Sequence, residues 1–91
     1  MVIDMAEYAL HFYVKKDESF WSSVTFKTPA SARKKAYPLL SVMPRGAYAR
    51  IYDYSTDRFT EALDVTEQGR FRASDEDHIW FVNPKTGGII R

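Results

Sequence analysis

The chain contains no cysteine, which excludes both a disulfide framework and a zinc site held by thiolates. A small domain without such cross-links must stand on its apolar core, and the reducing cytosol is its natural setting. Long apolar runs are missing too. No stretch reaches the roughly 18 apolar residues of a membrane span. The opening segment MVIDMAEYAL carries Asp4 and Glu7 where a signal peptide would place Lys or Arg before an apolar run. The expected location is therefore cytoplasmic, with no membrane contact. Glycine and proline number four each, and they gather in no linker or low-complexity tract.

The usual signatures of chemistry are also absent. There is no G-x-x-x-x-G-K-[ST] or G-x-G-x-x-G loop to cradle a phosphate, and no G-x-S-x-G elbow. His11 and His78, the two histidines, lack metal-binding spacing. Asp75, Asp77 and His78 could in principle approach a metal, and Asp53, Asp57, Glu61 and Asp64 are spaced carboxylates. Both patterns are ordinary for solvated turns and hairpins. The expectation is no enzyme, no catalytic residue, no metal, no cofactor and no small-molecule substrate.

What is present describes one compact α+β domain spanning 1–91. Hydrophobic residues make up 45% and charged residues 27%, too apolar and too evenly charged for a disordered chain. Aromatics reach 15%, a content that sheets accept readily. Segment 7–16 alternates, placing Tyr8, Leu10, Phe12 and Val14 on one face and His11, Tyr13 and Lys15 on the other. Asp17-Glu18-Ser19 reads as a turn. Residues 20–27 read as the second strand of a hairpin, with Phe20, Val24 and Phe26 opposed to Trp21, Thr25 and Lys27.

Thr28-Pro29 starts a helix, Thr as N-cap and Pro at the first helical position. Ala32, Ala36, Leu39, Leu40 and Met43 form its stripe. Pro38 predicts a kink there or an end near Ala36, with an irregular or helical extra turn through Val42. Residues 47–54 and 59–66 follow as strands. Ala47, Ala49, Ile51, Phe59, Leu63 and Val65 point inward, and Tyr48, Arg50, Tyr52 and Tyr54 outward. Phe71–Ala73 and His78–Val82 are further strand segments, and Ile89-Ile90 can pair back after a Pro-to-Gly turn. The expected fold is a single, mostly antiparallel sheet of about five to six strands, in the order β-β-α-β-β-β, with one helix on one face.

The other face is the candidate site. Alternation gathers Tyr13, Trp21, Lys27, Tyr48, Arg50 and Tyr52 there, and Tyr, Trp and Arg are the residue types enriched where binding energy concentrates. Aromatics turned to water on an open sheet are uncommon, and such area marks contact sites. Cross-strand aromatic pairs also stabilise sheets by themselves, so a second small core competes with that reading. Charge is segregated as well. Ser19–Tyr52 holds six basic residues and no acid, whereas Asp53–Asp77 holds eight acids and three Arg. Arg33, Lys34, Lys35 and Arg45 form a secondary basic patch suited to an acidic partner.

The expectation is a non-enzymatic protein that acts by surface contact with another protein, as an adaptor or inhibitor. Small motif-free domains of this kind include the anti-CRISPR inhibitors of phages and mobile elements, to which this chain is similar in size alone. The alternative is a module for single-stranded nucleic acid, whose bases would stack on the rings. The β-α-β-β-α-β order and aromatic signature of an RNA recognition motif are both missing, and a net charge of +1 is low for that role.

Overall fold

The computed structural model describes residues 7–15 and 18–90, and side chains for 7–14 and 25–90. The elements are β1 (Tyr8–Lys15), β2 (Glu18–Phe26), α1 (Pro29–Val42), β3 (Tyr48–Asp53), β4 (Arg58–Val65), β5 (Phe71–Ser74), β6 (Ile79–Val82) and β7 (Ile89–Ile90). All seven strands join one antiparallel sheet in the order β2-β1-β3-β4-β5-β6-β7. The described residues form the expected α+β sheet with one helix, but their strands number seven rather than five or six. The difference arises after β4, where Phe71–Ser74, Ile79–Val82 and Ile89–Ile90 all pair in sequence as a meander. Glu18 and Ser19 belong to β2 rather than to a turn, and Asp17 lies outside the described residues.

One connection is not local. The chain leaves β2, runs through α1 over the sheet and returns as β3 on the far side of β1. Strands β2 and β3 are each antiparallel to β1 and hence parallel to one another. A parallel pair needs such a crossover, and a helix is the usual one. The first strand thereby becomes an interior strand of the sheet.

Helix α1 starts as its first residues dictate. Thr28 is extended, and its hydroxyl accepts a hydrogen bond from the Ser31 amide at 3.1 Å. Thr28→Ala is expected to cost about 1 kcal/mol by leaving that donor without its cap. Urea unfolding of the two proteins at equal slope checks this, and coincident midpoints would refute it. The helix runs through Pro38 to Val42, so the extra turn is helical rather than irregular. Pro38 and Lys34, one turn earlier, are both on the exposed side, so the carbonyl that Pro38 leaves without a donor can be solvated. The helix ends at Val42: Met43 is extended, its amide donates to the Leu40 carbonyl at 3.2 Å, and Pro44 follows.

The buried stripe of α1 is Ala32, Ala36, Tyr37 and Leu40. It meets Leu10 and Phe12 of β1, Ala49 and Ile51 of β3, Leu63 of β4 and Ala73 of β5. Alanines on both surfaces let helix and sheet approach closely, and Tyr37 fills the space beside them. Its ring packs edge-on to Phe71, and its hydroxyl donates to the Arg72 carbonyl at 2.9 Å. Arg33 reaches past the sheet to the turn before β7, donating to the Gly87 carbonyl at 3.0 Å. The sheet thus curls around the helix as a half-barrel, and its other face is convex.

Candidate functional site

The convex face is built by parity and by the position of β1. Interior alternation is strict on β3, where Ala49, Ile51 and Asp53 are buried and Tyr48, Arg50 and Tyr52 are half-buried on the other side. Because β1 lies beside β3, the backbone register sets Tyr13 opposite Tyr48, His11 opposite Arg50 and Ala9 opposite Tyr52. Side chains directly opposite one another interact. Tyr13 and Tyr48 stack with ring centroids 4.7 Å apart and planes 11° apart, and His11 lies 4.7 Å from Tyr13. The Tyr13 hydroxyl is 3.3 Å from His11 Nδ1.

Phe59 joins this cluster, although alternation assigns it to the core. The pairs Ile51 with Glu61 and Tyr52 with Phe59 leave Thr60 as an extra residue in β4. That β-bulge reverses the parity of everything before it, so Glu61, Leu63 and Val65 stay on the helix side while Phe59 turns outward. There it packs edge-on against Tyr52 at 5.2 Å, and Tyr52 packs likewise on Tyr54 at 5.2 Å. The Arg50 guanidinium lies 3.8 Å from the Phe59 ring centroid and 6.0 Å from that of Tyr13, within cation–π range. The sequence does not place the bulge: Phe59 and Leu63 share a parity in the chain, and only the charge of Glu61 between them interrupts the apolar alternation.

Four of the anchors expected from sequence are therefore brought together: Tyr13, Tyr48, Arg50 and Tyr52. Trp21 stands opposite His11 in the backbone register of β2 and β1; its side chain lies outside the described residues, as does that of Lys15. Lys27 is exposed just beyond β2, at the end of the face near Glu7, away from Tyr13 and Tyr48. The convex face continues across β4 to β7 through the Asp64–Arg72 pair, whose fork-to-fork contacts are 2.8 and 2.6 Å, and then through Ile79, Phe81 and Ile90. Arg70 stacks over Phe81 at 3.5 Å.

The secondary basic patch is divided. Lys34, Lys35 and Arg45 are exposed. Arg33 instead turns toward the sheet and makes two charge-assisted hydrogen bonds with Glu61, at 2.8 and 2.7 Å, with side chains only 13% and 10% exposed. It is a structural residue, and the charge at Glu61 on the core face is explained by it.

The other carboxylates serve separately. Asp53 accepts from the hydroxyl and the amide of Ser55, and the hydroxyl bond holds its pKa below the ordinary value. Asp75 shapes its loop by accepting from the amides of Asp77 and His78, which lowers its pKa. Among the described residues no three His, Cys, Asp or Glu side chains are grouped to hold a metal ion. Desolvation, with Arg50 nearby, lowers the pKa of His11, so the ring stays neutral among its aromatic neighbours at neutral pH. A groove of about 490 Å³ runs from Arg50 and Phe59 to the loop Asp75–Asp77. No helix among the described residues is long and apolar enough to cross a membrane. No protein-family model matches the chain, and neither a curated protein nor a solved structure matches it, so what the face does has to be read from its own chemistry.

Proposed function

We propose that the chain is a non-enzymatic binding domain that takes a protein partner on the convex face, as a cytoplasmic adaptor or inhibitor does. The observation that carries this reading is the contiguity of Tyr13, Tyr48, Arg50, Tyr52 and Phe59 over three adjacent strands. Tyr and Arg are the residue types that dominate binding energy at interfaces. Rings already held by one another lose little freedom when a partner covers them. The same packing stabilises the sheet, and a docking surface that is ordered in advance needs that stability.

Tyr52→Ala and Arg50→Ala are each expected to weaken partner binding by about 2 kcal/mol or more while shifting stability far less than a core substitution would. The measurement is affinity capture from the native host, quantified for wild type and variants, with a thermal melt of each protein. Capture unchanged by both substitutions would defeat the reading. So would a nanomolar complex with a single-stranded oligonucleotide at physiological salt, which would assign the face to nucleic acid instead.

A further inference from the structure

Arg50 differs from the other half-buried arginines of the described chain. Arg33 is matched by Glu61 and Arg72 by Asp64, each through two hydrogen bonds. Arg50 is half-buried at the centre of the convex face, and among the described residues its guanidinium has no hydrogen-bond or ion-pair partner. What it has is a support: its Cζ stands over the Phe59 ring, 3.8 Å from the centroid, and 6.0 Å from the centroid of Tyr13. Stacking uses the flat face of a guanidinium and leaves its N–H edge free to donate. That edge is a rigid fork matched to two oxygens of one oxyanion. Arg70 stacks in the same manner on Phe81, but from an exposed position.

The surroundings narrow the choice of oxyanion. Arg50 lines the groove of about 490 Å³ together with Arg58 and Phe59 of β4 and Asp75, Glu76 and Asp77 of the β5–β6 loop; Glu61 also lines it but is already matched by Arg33. A space of this size holds one or two side chains. The three loop acids repel a chain of phosphates, whereas a single carboxylate on Arg50 is also drawn by Arg58. We propose that Arg50 is the anchor for an acidic side chain of the partner, an Asp or Glu flanked by apolar residues that lie on Tyr13, Tyr48 and Tyr52. This rests on the reading of the convex face as the docking surface and specifies what docks.

The test is an NMR titration that follows the Arg50 Nε–H signal. The probes are an acetylated, amidated Leu-Glu-Leu peptide, its Leu-Gln-Leu counterpart, and inorganic phosphate. The Glu peptide is expected to shift that signal saturably, at least about tenfold more tightly than the Gln peptide. Arg50→Lys is expected to lose most of this preference, because an ammonium offers no planar fork, and Phe59→Leu is expected to weaken it by removing the support. Equal response to Glu and Gln peptides, an Arg50→Lys protein that binds as wild type, or tighter binding of phosphate than of the Glu peptide would each overturn the proposal. Failure of the wider reading looks different. Partner capture that falls with Tyr52→Ala but not with Arg50→Lys removes the anchor and keeps the docking face; capture that falls with neither removes both.

Discussion

Gly87→Ala is expected to destabilise the protein by about 3 kcal/mol or more, through a single added methyl group. Two costs combine. The backbone sits at φ +75°, a left-handed conformation that carries roughly 1–2 kcal/mol for a residue with a Cβ. The Cβ itself would stand 1.9 Å from the Ala30 carbonyl oxygen, far inside van der Waals contact. The obstacle is helix backbone, which cannot turn aside as a side chain can. Relief requires moving the β6–β7 turn off α1, and that movement breaks the Arg33 hydrogen bond to the Gly87 carbonyl. Gly46 and Gly69 supply the control. Each has a positive φ, 91° and 81°, but a Cβ on either would meet nothing within 4 Å, so Gly46→Ala and Gly69→Ala should cost the backbone strain alone. Urea unfolding of all three variants checks the ordering. Equal losses at the three sites would mean that the turn does not pack on the helix as described. A chain of this length has on the order of 5–14 kcal/mol of total stability, so Gly87→Ala leaves a marginal fold.

Tyr37→Ala is expected to cost about 3–5 kcal/mol, the range for removing a buried ring. Tyr37 is fully buried, the largest side chain of the core, and it joins α1 to β5 through both the Phe71 ring and the Arg72 carbonyl. Tyr37→Phe separates the two contributions. It keeps the ring and removes only the hydroxyl donor, for about 1–2 kcal/mol. Alkaline titration offers a second readout. Burial raises the pKa of the Tyr37 phenol well above its ordinary value. The unfolded chain therefore releases this proton first, and stability is full below about pH 10 and falls as pH rises beyond it. The Tyr37→Phe variant should show a shallower alkaline loss than wild type. Parallel losses would mean that other groups set the alkaline limb. If Tyr37→Ala melted like wild type, the helix would not be anchored at this position at all.

The effects expected on the convex face are of another kind. Tyr13, Tyr48 and Tyr52 are half-buried, Tyr13 stacked on Tyr48 and Tyr52 packed on Phe59 and Tyr54, so truncating one leaves its neighbours accessible to water rather than opening a cavity. Binding should suffer there and folding much less, the reverse of the pattern at Gly87 and Tyr37.

Parity along β1 and β3 was legible in the sequence alone. Period-two alternation is a property of the extended chain, and it sent Leu10, Phe12, Ala49 and Ile51 inward and Tyr13, Tyr48, Arg50 and Tyr52 outward without reference to any partner. The helix start at Thr28-Pro29 was equally local, since cap and first turn lie within four residues. The tertiary structure decided everything that depends on which segment lies beside which. The crossover through α1 placed β1 between β2 and β3, and only that adjacency turned the separate tyrosines Tyr13 and Tyr48 into a stacked pair. The bulge at Thr60 turned Phe59 under Arg50, because register between β3 and β4 is set by pairing and not by the alternation within β4. Glu61 drew Arg33 out of the basic patch from 28 residues away, since two half-buried charges need each other more than they need a surface. Pro38 stayed within the helix because its missing hydrogen bond falls on the side that faces water, and that orientation was unknown until the Ala32–Ala36 seam met the sheet.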